Sequence, residues 1–152
     1  MLCLTGIFIQ DWKNRHIHVV LPIVIFICSC IAVGKSGKLF LSGVIQNAAF
    51  FLLILSVLVV YMSIRKKNIQ NPFKNYFGLG DFIFYLSVTP LFATKQFIVY
   101  FILSMFFSII MQKALRKQMV DSSVPLAGFS SLFLSIVILK DLLFTFQKIT
   151  LL

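Results

Sequence analysis

The sequence predicts an all-α protein, a polytopic bundle of about six transmembrane helices that forms a single domain over residues 1–152. Hydrophobic residues make up 60% of the chain and charged residues 12%, and the mean hydropathy is +1.01. There is no Glu and there are only four Asp, so few side chains can cover a water-exposed surface. This composition excludes a soluble globular domain and a disordered tail. No Pro-, Gly- or Ser-rich linker divides the chain.

Six apolar stretches predict helices over Met1–His16, Val19–Gly34, Leu39–Ile64, Leu79–Thr94, Gln96–Gln112 and Val124–Phe146. In the first, the ten residues before Asp11 cover only about 15 Å of a roughly 30 Å hydrocarbon core. We therefore expect this helix to continue past Asp11 or to start upstream. It does not read as a cleaved signal peptide, because its positive charges follow the apolar run.

In the third helix, Gln46 and Asn47 are expected to make interhelical hydrogen bonds. The sixth begins near Pro125, which suits a first helical turn.

Lys and Arg residues predict the orientation of the bundle, since they collect in cytoplasmic loops. Counted on alternating sides, one side carries nine: Lys13, Arg15, Arg65, Lys66, Lys67, Lys74, Lys113, Arg116 and Lys117. The other carries five: Lys35, Lys38, Lys95, Lys140 and Lys148. Both termini are thus expected outside, with the loops after helices 1, 3 and 5 in the cytoplasm. The net charge of +10 is explained by topology and contacts to anionic lipid rather than by nucleic-acid binding.

Two of the four acids are candidates for function. Asp121 can cap the last helix and Asp141 can pair with Lys140 or snorkel, so both have structural explanations. Asp11 and Asp81 adjoin apolar sequence, where an Asp at the centre of a membrane helix costs about 2.5 to 3.5 kcal/mol on insertion scales. Such residues are functional candidates by default. The predicted topology also puts both at similar depth near the cytoplasmic face.

Asp81 ends the string Gly78-Leu79-Gly80-Asp81, in which the glycines let a helix or a substrate backbone approach the carboxylate. Two carboxylates that converge where water is scarce share a proton, so that one can act as a base and the other as an acid. A purely structural interpretation is also open. Asp81 would then be an acid favoured by its helix dipole, and Asp11 would pair with Lys13 or Arg15.

These motifs resemble those of the Gly-x-Gly-Asp intramembrane aspartic proteases, and among them the type IV prepilin and preflagellin peptidases. The similarity covers three segments, Asp11 followed by a basic run to His18, Gly78–Asp81, and the start of the last helix at Val124–Phe129. Together they extend over nearly the whole chain. The chain departs from the family pattern at three places, His18, Phe82-Ile83 and Gly128, which are expected to bear on substrate choice.

The resemblance implies that Asp11 and Asp81 are the catalytic pair, that Gly78 and Gly80 support them, and that Lys13, Arg15 and Pro125 bind substrate or pack helices. It implies cleavage of the leader of a pilin-like precursor at the cytoplasmic face of a bacterial inner membrane, with lipids as the other partners. Water is expected to be the nucleophile, with no metal and no organic cofactor. No methyltransferase activity is expected, because the chain has neither the extra cytoplasmic domain nor the paired Cys-x-x-Cys motifs of the bifunctional members. His16 and His18 are better explained as interfacial residues than as metal ligands.

Two other functions are compatible with the same acids. A small proton- or cation-coupled carrier could bind its ion at Asp11 and Asp81. An inactive peptidase relative could also keep the pair as part of a scaffold. The presenilin-like branch fits less well, because Gln10 precedes Asp11 and the last helix reads Pro125-Leu126-Ala127.

Overall fold

The computed structural model describes residues 1–14, 17–33, 38–66, 78–115 and 125–144, and these form a helical bundle. The six α-helices in this part of the chain are α1 (Leu2–Asn14), α2 (Val20–Val33), α3 (Lys38–Lys66), α4 (Leu79–Val88), α5 (Thr94–Leu115) and α6 (Leu126–Phe144). The predicted fold class is confirmed. Three helices are long and apolar enough to cross a membrane, over Leu41–Ile64, Thr94–Leu115 and Leu126–Leu143, while α2 and α4 are shorter apolar helices.

The first helix continues past Asp11 to Asn14, which is one of the two outcomes expected from its short apolar run. It packs mainly along α6, and α5 also packs against α6. The centre of the bundle is aromatic. The ring of Tyr85 lies 5.0 Å from that of Phe101 and 5.5 Å from those of Phe51 and Phe84, so α3, α4 and α5 meet around one fully buried side chain.

The fourth helix is shorter than predicted. Its α-helical part ends at Val88, and a single 3₁₀ turn over Thr89–Leu91 follows it instead of a continuous helix to Thr94. Pro90 explains the difference, because it has no N–H for an α-helical hydrogen bond and its ring clashes with the preceding turn. The chain then turns at Phe92 and enters α5.

Asn47 stabilises this turn from α3. Its side-chain amide donates hydrogen bonds to the carbonyl oxygens of Thr89, at 2.9 Å, and Phe92, at 2.7 Å, and the residue is completely buried. The neighbouring Gln46 accepts a hydrogen bond from the hydroxyl of Thr94 at 3.1 Å. The prediction that these two residues bind another part of the bundle is confirmed.

Replacing Asn47 with Leu should lower the free energy of unfolding by about 1–3 kcal/mol, because two buried carbonyl groups lose their donor. Gln46→Leu is the matched control, since Gln46 is exposed and makes one longer contact. Unfolding in detergent can be followed through the fluorescence of Trp12, the only tryptophan. Equal stability of the two variants would contradict a capping role for Asn47.

Candidate active site

Asp81 lies in the first turn of α4, three residues after Gly78, the glycine that precedes the helix. Gly78 is extended, with φ −66° and ψ 142°, and its backbone N–H donates to Asp81 Oδ2 at 3.2 Å. An acid at this position also interacts favourably with the positive end of the helix dipole. The structural interpretation of Asp81 as an acid at a helix N-terminus therefore accounts for one oxygen of its carboxylate.

The other oxygen of the same carboxylate reaches a different helix. Asp81 Oδ1 accepts a hydrogen bond of 2.6 Å from the backbone N–H of Ala127, the second residue of α6. Asp11 Oδ2, on α1, accepts one of 2.7 Å from the N–H of Gly128, the next residue. Two carboxylates that are far apart in sequence thus bind consecutive amides at one helix end.

The first turn of α6 is suited to hold acids. The first four N–H groups of a helix have no partner within it, and the helix dipole places about half a positive charge there. Each anion near such an end is stabilised by about 0.3–1 kcal/mol, or more where it is partly buried. Pro125, which is fully buried, precedes the helix and needs no donor partner. Asp11 is only 6% exposed and Asp81 is half-buried, so the pair sits at the edge of the packed interior.

The glycines near the two acids are explained by close packing. A Cβ added to Gly78 would lie 3.0 Å from Asp81 Oδ2, and one added to Gly80 would lie 2.9 Å from Cδ1 of Ile17. The lack of a side chain at Gly80 therefore makes room for Ile17, in the segment after α1. The sequence had predicted that a partner helix or a substrate backbone would approach at this position. Both supporting glycines lie directly beside Asp81.

Gly80→Ala should destabilise the protein by about 1–3 kcal/mol, since the new methyl group overpacks against Ile17. The double variant with Ile17→Ala should recover part of this loss, because the two nearest atoms of Ile17, Cδ1 and Cγ1, are then gone. The check is a double-mutant cycle on thermal unfolding. Strict additivity of the two changes would contradict the contact.

Gly128 is the site residue that the sequence did not single out as functional. A Cβ at this position would lie 3.0 Å from Asp11 Oδ2 and 3.1 Å from Asp11 Cβ, so the close approach of α1 depends on glycine. A proline here would also have no N–H to donate to Asp11. In the sequence it appeared only as a departure from the family pattern, although the small residues Ala127 and Gly128 beside Pro125 are typical of a close helix contact.

An aromatic cluster joins α1 to the first turn of α6 next to Asp11 and Gly128 in sequence. The rings of Phe8, Trp12 and Phe129 are separated by 5.8–6.4 Å, and Phe129 is fully buried next to Gly128. Aromatic pairs of this kind contribute about 0.5–1.5 kcal/mol each beyond the area that they bury. The cluster therefore fixes α1 against the first turn of α6, and with it the distance from Asp11 to its amide.

A buried network of hydroxyl groups lies beside the first turn of α6, on the side toward the bundle interior. The hydroxyl of Tyr85, one helical turn after Asp81, is hydrogen-bonded to the hydroxyls of Ser104 at 2.8 Å and Ser130 at 2.7 Å. Ser131 donates to the carbonyl oxygen of Gly128 at 2.8 Å. These contacts tie α4, α5 and α6 together just below the two carboxylates.

Lys13 and His18, two further residues that the sequence analysis considered, are both exposed. Lys13 is exposed in the last turn of α1, and Arg15 and His16 fall outside the described residues. His18 is exposed, and its backbone N–H donates to Gln10 Oε1 at 3.2 Å. The structure thus brings together Asp11, Asp81, Gly78 and Gly80 with the start of α6.

Comparison with known proteins gives one match. The model of the type IV leader peptidase family matches residues 1–112, about three quarters of the chain, and includes both acids and the glycine string. No curated protein and no solved structure gave a significant match. The amides that hold the two carboxylates belong to α6, which lies beyond the matched residues.

Proposed function

Since the chain belongs to the type IV leader peptidase family, we propose that it is an aspartic endopeptidase that removes the leader of a prepilin-like precursor. The apolar helices and the family together make it an integral membrane protein. The observation that carries the proposal is the convergence of Asp11 and Asp81 on the adjacent amides of Gly128 and Ala127.

In the proposed mechanism the pair holds one proton. The ionised carboxylate removes a proton from a water molecule, whose oxygen attacks the scissile carbonyl carbon. The protonated carboxyl group gives its proton to the carbonyl oxygen, which yields a tetrahedral intermediate without a net charge. Collapse of this intermediate breaks the C–N bond. The leaving amine takes a proton from the protonated carboxyl group, and the ionised carboxylate takes one from the hydroxyl that becomes the new C=O, so the pair again holds one proton. The titration belongs to the two acids jointly, so no fixed role is assigned to either.

The α6 amides have a defined task in this scheme. Hydrogen bonds from Ala127 and Gly128 occupy one oxygen of each carboxylate and fix its orientation. Such preorganisation matters because small misplacements of reacting groups are costly, about 10²-fold in rate for 1 Å. The half-buried setting of Asp81 leaves it the more accessible of the pair to a substrate.

The proposed site faces the cytoplasm of a bacterial inner membrane. Nine of the 14 Lys and Arg residues fall on the side of the chain where α1 ends and α4 begins, which the positive-inside tendency assigns to the cytoplasm. The substrate is then a pilin-like precursor that is cut just before its apolar helix. Nine positive charges would repel a strongly basic leader, so a short or weakly charged leader fits better.

The proposal is tested by comparing the N-termini of membrane and secreted proteins in cells that carry the wild-type chain or Asp81→Asn. We expect a small set of pilin-like precursors to keep their leaders in the variant only. Asp121→Asn is the control, because Asn caps a helix as well as Asp does. Unchanged N-termini in cells that make and insert both proteins would refute the proposal, and loss of ion flux in the same variant would favour the carrier.

A further inference from the structure

A cavity of about 330 Å³ opens between α5 and α6 at the far end of the bundle from the two carboxylates. Lys95, in the first turn of α5, and Asp141, near the end of α6, both line it. Asp141 follows Leu126 by 15 residues (141 − 126), which is about 22 Å along a helix at 1.5 Å per residue. The cavity is therefore separate from the candidate active site, and its volume lies at the small end of the range for ligand sites.

The inner wall of the cavity is a stack of aromatic rings. Phe92 and Tyr100 are 4.9 Å apart and nearly parallel, and Tyr100 and Phe133 are 6.0 Å apart at 24°. The hydroxyl of Tyr100 donates to the carbonyl oxygen of Ser130 at 3.0 Å, which fixes the ring between the helices. The wall is thus preformed and apolar, and it needs no rearrangement to receive an apolar chain.

The outer wall belongs to the lipid-facing surface of the bundle. Val99 and Leu103 line the cavity, and they are 55% and 48% exposed. They lie within the span Thr94–Leu115, which is long enough to cross a membrane. The cavity is therefore open to the hydrocarbon region, where the available apolar ligands are acyl chains.

The rim of the cavity carries one charge of each sign. Lys95 is exposed and Asp141 is half-buried, and no ion pair between them occurs in the part of the chain that the structure describes. A headgroup that carries both an anion and a cation is complementary to this rim in charge, with a phosphate toward Lys95 and an ammonium toward Asp141. A primary ammonium can donate N–H hydrogen bonds to a carboxylate, whereas a quaternary ammonium cannot, and an anionic headgroup would be repelled by Asp141.

We propose that this cavity binds the headgroup and part of one acyl chain of phosphatidylethanolamine from the surrounding bilayer. Lys95 binds the phosphate, Asp141 binds the ammonium, and the chain lies along the rings of Phe92, Tyr100 and Phe133. The lipid holds α5 and α6 together at the end of the bundle opposite the carboxylates.

The test is native mass spectrometry of the purified chain in detergent, titrated with phosphatidylethanolamine, phosphatidylcholine and phosphatidylglycerol of identical acyl chains. We expect the wild-type protein to retain phosphatidylethanolamine in preference to the other two. Asp141→Asn should weaken its retention by about twofold to fivefold and abolish the preference over phosphatidylglycerol. Lys95→Gln should weaken retention of both lipids by a similar factor. Equal retention of the three lipids by the wild-type protein would overturn the proposal.

Filling the cavity provides an independent test. Val99→Trp, or Leu103→Trp if the first variant unfolds at a lower temperature than the wild type, should reduce the bound lipid at all concentrations. Ile110→Trp is the matched control, because Ile110 is 64% exposed on the same helix and does not line the cavity. Retention of phosphatidylethanolamine by the filled variants at the level of Ile110→Trp would show that the lipid binds elsewhere and overturn the proposal.

Discussion

Asp11→Asn and Asp81→Asn should each slow leader cleavage by about 10²- to 10⁴-fold, the usual contribution of a positioned acid or base. An amide can neither take a proton from water nor give one to a carbonyl oxygen at ordinary pH. The fold should be retained, because Asn Oδ1 can still accept the hydrogen bond from Ala127 or Gly128. The measurement is the rate of leader cleavage by purified protein in lipid vesicles, beside the unfolding temperature of each variant.

The wild-type protein should show a bell-shaped pH profile in the same assay. Activity requires one proton on the pair, so the rate falls at low pH, where both carboxyl groups are protonated, and at high pH, where both are ionised. A stable Asp81→Asn variant that cleaves at the wild-type rate would leave Asp81 with the role of a helix cap alone. The hydrogen bonds that it accepts from Gly78 and Ala127 would then be its whole function.

Gly128→Val is expected to slow cleavage by about 10²-fold, the second largest effect. A Cβ at this position already meets Asp11 at 3.0–3.1 Å, and the two further methyl groups of Val force the α1 carboxylate away from its amide. Gly128→Ala should show the same effect to a smaller degree, because a shift of a few tenths of an ångström relieves its contact. Both are measured in the vesicle assay, with Trp12 fluorescence as a report on the packing of α1 against α6.

Gly43 offers the matched control for this series. In α3, a Cβ added to Gly43 has no atom of the described chain within 4 Å. Gly43→Ala should leave the cleavage rate unchanged and raise stability by about 0.5–1 kcal/mol, since Ala loses less backbone entropy in a helix than Gly. If the Gly128 and Gly43 series had the same effects, the loss would reflect glycine replacement in general and not the contact with Asp11.

Helix positions were predictable because the apolar runs are long and the polar interruptions short. Where prediction of the helices went wrong, at the end of α4, the reason is local: Pro90 replaces the last α-helical turn by a 3₁₀ turn. The binding role of Asn47 was predictable from a polar residue in an apolar helix. Its partners were not, because the carbonyl groups of Thr89 and Phe92 become acceptors only through the break in α4.

The convergence of the two acids was predictable, because the alternation of basic loops put both at a common depth. Their hydrogen-bond partners could not be read from the sequence. Every residue other than proline has a backbone amide, so residue type does not identify the donors. The contact also joins α1 to α6, two helices that are far apart in the sequence. Gly128 appeared only as a departure from a family pattern, because its importance comes from the nearness of Asp11 and not from its neighbours in sequence.

Because α6 is synthesised after both acids, its amides also determine when the carboxylate pair can be assembled. The ribosome makes both acids before it makes Ala127 and Gly128, so a nascent chain can insert α1 to α5 while its carboxylates still lack these donors. A partly made chain would therefore have no assembled centre that could cut neighbouring proteins during translocation. In the proposed mechanism, docking of α6 is therefore the step that completes the site.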